Sequence, residues 1–358
     1  VAAISSQTAQ RVVVADDSRL MRRILSDALA RQGFDVVATA ADGDEALAAC
    51  NQFRPDAMTL DLHMPGLDGI GVLKALRAGK AANVPVVVVS AFSPAHGARA
   101  VDALAEGAME LVAKPAMGES MAEFTAELSK KVGDAAVAGK LRARRPRAVA
   151  PRRVATRPPV RPTAAAAARP GTKKFVVIAS STGGPKALGE LIPKLPAPLG
   201  TGSLIVQHMP PGFTASLAAR LDGMSRLTVK EAVGNEAMDP RHMYLAPGGS
   251  HLRMGEDRKI RLSDEAPMGG LRPRADLTIA DAAKLYGNQL VLVVLTGMGK
   301  DGLDGARAVK QAGGRILVEA ESTCVVYGMP RAVAEAGLAD EILPLHELPA
   351  AIAREAGA

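Results

Sequence analysis

The sequence predicts two doubly wound α/β domains in tandem, and three observations carry that expectation. Strand-like apolar runs alternate with helix-period patterns five times before residue 133, and the alternation resumes after residue 172. Nearly continuous apolar strands separated by helices imply parallel sheets covered on both faces. Between the two blocks, the stretch 140–172 holds ten Lys/Arg, six Pro and no acid, the composition of an extended, solvated linker. A length of 358 residues also suits two domains. The boundaries fall at 1–133, 134–172 and 173–358.

In the first block the strands read at Arg11–Ala15, Asp35–Thr39, Ala57–Leu60, Val84–Val89 and Glu110–Ala113. Met21, Ile24, Leu25, Ala28 and Leu29 recur at helical spacing between the first two. Open parallel sheets bind ligands at the carboxyl ends of their strands. Asp16 and Asp17 follow the first strand, Asp61 the third, Ser90 the fourth, and Lys114 with Pro115 the fifth. Taken singly, Asp17 and Ser18 would only cap a helix and Lys114 would be a surface charge. Together, three carboxylates, a hydroxyl and an ammonium at one sheet edge suit Mg²⁺ and a phosphoryl group. Hard Mg²⁺ takes a few carboxylates and keeps waters, and a carboxylate can itself accept a phosphoryl group.

The motifs VVVADDS, TLDLHMPGLDG, VVVVSA and LVAKP, spanning roughly 11–132, resemble the receiver domain of bacterial two-component response regulators. The resemblance implies a flavodoxin-like fold, phosphorylation on Asp61 and a histidine kinase as phosphodonor. It also implies Mg²⁺ held by Asp17, Asp61, Asp16 (partly through water) and the His63 carbonyl, with Ser90 and Lys114 reading the phosphoryl group. The family's switch aromatic is replaced here by Leu111, so an aromatic rotamer switch does not operate in this chain.

Composition narrows the remaining classes. The net charge of +7 resides in the 140–172 stretch; without its ten cations the rest of the chain is slightly acidic, so the folded parts are not a nucleic-acid surface. Aromatics are 3% with no Trp, too few for base-stacking platforms. The longest apolar runs, Val84–Val89 and Leu290–Leu295, are too short to span a bilayer. Cys50 and Cys324 fall in different domains, which suggests no disulfide framework. A reduced, cytoplasmic protein without membrane insertion is expected.

In the second block, strands read at Phe175–Ala179, Ser203–Gln207, Met243–Ala246, Leu290–Leu295 and Arg315–Glu319. Helical stretches read at Lys186–Leu195, Phe213–Leu221, Ala275–Tyr286 and Gly305–Gln311. Ser181 lies between a strand and a Gly-Gly turn opening a helix, which would expose its hydroxyl beside free backbone amides. Ser180 and Thr182 are rival hydroxyls. His208 ends an apolar strand and is the first choice of base, with His251 second and His242 and His346 behind. Asp301, Asp276 and Asp281 compete as the orienting acid; Asp301 follows the most apolar strand. Serine, base and acid together are what acyl transfer requires. Against this, residues 297–302 spell G-x-G-x-x-G with Glu319 about twenty residues on, a dinucleotide fingerprint. A carboxylate within the turn, Asp301, would repel a pyrophosphate.

ASSTGGPKAL, LIVQHMPPGFTASLAARL, YLAPGGSHL, LTGMGKDG and CVVYGMPRAV, in this order over about 175–353, closely resemble the catalytic domain of chemotaxis protein-glutamate methylesterases. The resemblance implies hydrolysis of glutamyl methyl esters on the cytoplasmic helices of methyl-accepting chemoreceptors, and in many members deamidation of receptor glutamines. It carries over as nucleophile Ser181, base His208, orienting acid Asp301 and an oxyanion contact from the Met298 amide. It implies no cofactor in this domain. The alternative from another class is a response regulator whose second domain only binds a ligand or dinucleotide.

Overall fold

The computed structural model describes residues 9–79, 84–91, 93–116, 118, 120–144 and 173–357. In the first domain the order is β1 (Arg11–Ala15), α1 (Arg19–Arg31), β2 (Asp35–Ala40), α2 (Gly43–Phe53), β3 (Ala57–Leu60), α3 (Gly69–Ala78), β4 (Val86–Ser90), α4 (Pro94–Ala105), β5 (Glu110–Ala113) and α5 (Met121–Arg144). The strands form a parallel sheet ordered β2-β1-β3-β4-β5. β3 and β4 are buried along their whole length, and β1 beyond its first residue, because helices cover both faces. Polar side chains at helix entries do the capping: Ser18, Asp42, Asp68 and Ser93 each accept an N–H of the first turn.

α5 continues to Arg144, past the boundary expected at residue 133. Its Phe124, Leu128, Val132, Ala135 and Ala136 are buried against the sheet, and Lys140 pairs with Asp56 at 3.1 Å. The linker therefore starts after the helix, and the rest of the basic, Pro-rich stretch, 145–172, lies outside the described residues.

The second domain runs β6 (Phe175–Ser180), α6 (Gly184–Leu191), β7 (Ser203–Gln207), α7 (Phe213–Asp222), β8 (Thr228–Glu231), β9 (His242–Leu245), β10 (His251–Met254), β11 (Ile260–Ser263), α8 (Ala275–Tyr286), β12 (Leu290–Val294), α9 (Leu303–Gln311), β13 (Arg315–Glu319), α10 (Met329–Glu335), β14 (Glu341–Leu343) and α11 (Leu348–Ala356). Seven strands form a parallel sheet ordered β14-β13-β12-β6-β7-β9-β8, and β10–β11 make a separate antiparallel hairpin. The expected strands are all present. The additional ones, β8, β14 and the hairpin, are each three or four residues long. The helix expected to reach Leu195 stops at Leu191. Pro193, lacking an N–H, passes into a 3₁₀ turn over Ile192–Lys194.

In both sheets the chain reverses its direction of winding beside one strand. In the first it does so between β1 and β3; in the second, around β6, flanked by β12 and β7. These switch points are where loops splay apart and leave a crevice. The residues singled out in the sequence stand at those two places.

Candidate active site

The loop that carries Ser181 is built by backbone constraints. β6 ends in Ser180, whose hydroxyl is fully buried and donates to Gln207 Oε1 at 2.7 Å. The Gln207 amide donates in turn to the carbonyls of Ser181 and His208, both at 3.0 Å, so the ends of β6 and β7 are tied together. Thr182 donates its hydroxyl to Glu110 of the first domain. Of the three rival hydroxyls, Ser181 is the one that lines a cleft together with His208. Gly183 turns the chain into α6 with φ +79°, and Gly297 lies so close that a Cβ there would sit 2.8 Å from Ser181 Cβ.

His208 Nε2 and Asp301 Oδ2 are 2.8 Å apart. Asp301 is 3% exposed and accepts the backbone N–H groups of Ala275 (2.7 Å), Asp276 (3.0 Å) and Gly302 (3.0 Å), with Arg274 Nε 3.5 Å away. Burial alone would push its carboxyl up, but the hydrogen bond and charge of His208, with the backbone donors, hold it well below the usual carboxylate range. Asp301 is therefore a fixed anion aimed at one ring nitrogen, which leaves Nδ1 as the basic nitrogen of His208.

The competing residues have other work. Asp276 accepts from Gly302 and Gly305 N–H at 2.9 Å each and pairs with Arg274 at 2.8 Å, so it braces the loop from behind. Burial raises its pKa, and the neighbouring charge of Asp301 adds to that. Asp281 is bidentate to Arg253. His251 is fully buried, with its Nε2 3.3 Å from the Ala266 carbonyl and its Nδ1 accepting Arg274 N–H at 3.2 Å. His242 pairs with Asp239, and His346 is exposed. The G-x-G-x-x-G loop does not offer a phosphate cradle: Gly302 N–H is taken by Asp276 and Asp301, and Glu319, fully buried, accepts Thr296 N–H. Met298 sits one residue past Gly297 and packs, half-buried, against the first domain.

In the first domain, Lys114 Nζ lies 2.7 Å from Asp16 Oδ2 and 2.6 Å from Asp61 Oδ2. Asp16, Asp17 and Asp61 bring one oxygen each within 4.8 Å of the others. Burial raises the Asp16 pKa against the opposing pull of Lys114, and the nearby charge of Asp61 adds to the rise. Lys114 itself is held protonated: burial works against its charge, and the two carboxylates outweigh it. His63 N–H reaches Asp61 Oδ1 at 3.2 Å, and Ser90 ends β4 on the same edge. The donor set is all oxygen and fits Mg²⁺.

Family models match twice: response regulator receiver domain over residues 12–125 and CheB methylesterase over residues 176–352. A protein-glutamate methylesterase/protein-glutamine glutaminase of Symbiobacterium thermophilum is 42% identical, covering 97% of each chain. Its Thermotoga maritima counterpart is 40% identical over 95% of this chain and 96% of its own. The chain belongs to this family. The crystal structure of the Thermotoga maritima CheB methylesterase catalytic domain superposes with a TM-score of 0.50 at 45% identity, covering 51% of this chain and 99% of that one. The alternative of a non-catalytic output module has no support among these relatives.

The methylesterase domain meets the receiver at the cleft that holds Ser181 and His208. Leu104, Glu110, Leu111 and Lys131 of the receiver close over Ser181, His208 and Pro210, leaving about 10 Å³, room for at most one water. Arg220 of α7 pairs with Asp102 of α4, Thr182 with Glu110, and Val325, Val326 and Met298 pack into the receiver's apolar cluster around Phe124 and Leu128. Sequence reasoning did not foresee Glu110, Asp102 or Arg220. Each is an ordinary charged residue on a strand or helix, and only the docked geometry distinguishes it.

Proposed function

We propose that this chain is a phosphorylation-activated serine esterase that removes methyl groups from glutamyl methyl esters on chemoreceptor helices, with Ser181 as nucleophile. The observation that carries it is the 2.8 Å bond from His208 to the buried, anionic Asp301 in the cleft that also holds Ser181. His208 Nδ1 takes the Ser181 proton as Oγ attacks the ester carbonyl. The Met298 amide faces the developing oxyanion, a contribution typically worth about 3–4 kcal/mol. His208 returns the proton to methanol, then activates a water that hydrolyses the acyl-enzyme. Asp301 keeps Nε2 protonated throughout. A receptor glutamine enters by the same route with ammonia as the leaving group.

For the receiver, the reading is that Asp61 accepts the phosphoryl group from a histidine kinase, with Asp16, Asp17, Asp61 and the His63 carbonyl holding Mg²⁺. When bound, Mg²⁺ supplies charge neutralisation for the incoming phosphoryl oxygens. Lys114 and Ser90 bond those oxygens once they are in place. Action on receptor helices places the protein in the cytoplasm, and among the described residues no helix is long and apolar enough to cross a membrane. Incubation with a small-molecule phosphodonor should give acid-labile labelling that requires Mg²⁺ and is lost in Asp61→Asn. Undiminished labelling of Asp61→Asn would contradict the assignment.

The test of the whole reading is methanol release from methylated receptor membranes. Release by the wild type and none by Ser181→Ala is expected. The base assignment is checked separately: His208→Ala should be inactive, whereas His251→Ala acts only through the backbone of Arg274 and should keep measurable turnover. The reverse pattern would transfer the role to His251.

A further inference from the structure

Glu319 is an ionisable side chain with no exposure at all, at the carboxyl end of β13, and acyl transfer as written above makes no use of it. We propose that Glu319 is a positioning residue that fixes the nucleophile loop through Thr296; the inference rests on Ser181 being the nucleophile. Burying a carboxyl group is costly unless its oxygens are bonded. Here Oε2 accepts Thr296 N–H at 2.8 Å and Oε1 accepts the Thr323 hydroxyl at 3.0 Å. Burial still raises its pKa in spite of these donors.

The role of Glu319 follows from what Thr296 holds. Its carbonyl accepts the N–H of Ser181 at 3.0 Å. Its hydroxyl donates to the Thr182 carbonyl at 2.9 Å and accepts Val326 N–H at 2.9 Å. The next residue is Gly297, whose Cα faces Ser181, followed by Met298 with the oxyanion amide. Thr296 thus links nucleophile and oxyanion donor, and Glu319 anchors Thr296. Thr296 and Thr323 also line an open pocket of about 220 Å³, so little packs against Thr296 from that side. Without Glu319, Thr296 N–H would lose its carboxylate partner, and the loop would shift to find another. A displacement of about 1 Å at a reacting group costs on the order of 100-fold in rate.

The experiment compares the full chain, activated with Mg²⁺ and a small-molecule phosphodonor, as wild type, Glu319→Ala, Glu319→Gln, Glu319→Asp, Thr296→Val and Ser181→Ala. Methanol release from methylated receptor membranes gives kcat and KM. Glu319→Ala should lose on the order of 30–100-fold in kcat with KM nearly unchanged. Glu319→Gln should recover most of it: its amide oxygen takes Thr296 N–H, and its NH₂ donates to Thr323, whose proton turns to the Ala320 carbonyl at 3.3 Å. Thr296→Val keeps the amide that Glu319 binds but loses the hydroxyl that holds Thr182 and Val326, so it should lower kcat by a separate route and add to the effect of Glu319→Ala. If Glu319→Ala does not fold, Glu319→Gln and Glu319→Asp decide: the amide should keep most of kcat, and the shorter carboxylate should lose it. Normal kcat in Glu319→Ala or Glu319→Asp, or a Glu319→Gln as impaired as the alanine variant, overturns the inference. Turnover by Ser181→Ala would instead overturn the nucleophile on which it rests.

Discussion

Single substitution of Ser181, His208 or Asp301 by alanine should lower kcat by on the order of 10⁴–10⁶-fold, and Ser181→Ala/His208→Ala should be little worse than either alone. Non-additivity is expected because, on the proposed mechanism, the three side chains act as a unit: Asp301 lies 2.8 Å from Nε2 of His208 and would fix which nitrogen is basic. Asp301→Asn is the more searching change. An amide at this position can present its NH₂ to Nε2, which would move the imidazole proton to Nδ1 and leave no base facing Ser181. It also places an NH₂ among three backbone N–H donors that need an acceptor. The expected loss is on the order of 10⁴-fold, measured as methanol release, with the fold preserved by circular dichroism. An Asp301→Asn variant retaining most of the wild-type kcat would mean that Asp301 does not orient the base, and Asp276, bonded within the same loop, would become the candidate.

Much of this site was legible because parallel strands announce themselves as continuous apolar runs, and the residue after each run is placed at the sheet edge by the fold alone. Ser181, His208, Asp16, Asp61 and Lys114 are all of this kind. What was not legible depends on contacts between segments far apart in sequence. Asp276 and Asp301 look equivalent until Arg274 and the Gly302 and Gly305 amides are seen to occupy the first. His251 looks like a base until both of its nitrogens are found beside backbone groups. β8 and β14 escaped because a three- or four-residue edge strand has no room for a period to show. The end of α5 escaped for a different reason: Ala135, Ala136 and Ala138, with the Lys and Arg residues that follow, are good helix formers, and the charge run beyond them masked that propensity. Glu319 drew notice only as the acid about twenty residues after the G-x-G-x-x-G string, a reading that the Asp301 carboxylate already opposed; its carboxyl faces inward to Thr296.

Separating the methylesterase domain from its receiver should raise basal activity by at least about tenfold, and phosphorylation should do the same to the full chain. In the docked arrangement Leu104, Glu110, Leu111 and Lys131 of the receiver line the same cleft as Ser181 and His208, and stand where a receptor helix would approach. The contacts that close it are both polar and apolar: Asp102 pairs with Arg220 and Glu110 with Thr182, α4 packs along α6 and α7, and apolar clusters run from one domain into the other. The two domains share one chain, and tethering raises the effective concentration of one domain for the other, to about mM for short linkers. Such a tether makes a weak interface sufficient for restraint and also easy to release, because a change of about 1.4 kcal/mol shifts the docking equilibrium tenfold. α4 is the element placed to deliver that change. It begins just after Ser90 and the phosphoryl edge, and its far end carries Asp102 against α7. With Leu111 where an aromatic rotamer would otherwise turn, movement of α4 and β5 is the route left. A fragment starting at residue 173 has its own sheet and core, and the matching Thermotoga maritima domain crystallised alone. Its basal rate should exceed that of the unphosphorylated full chain, and Arg220→Glu in the full chain should reproduce part of the release by setting two acids against each other. Phosphodonor should activate the wild type but not Asp61→Asn. Equal basal rates for fragment and unphosphorylated full chain would show that the receiver does not restrain the site, even with the Ser181 chemistry intact.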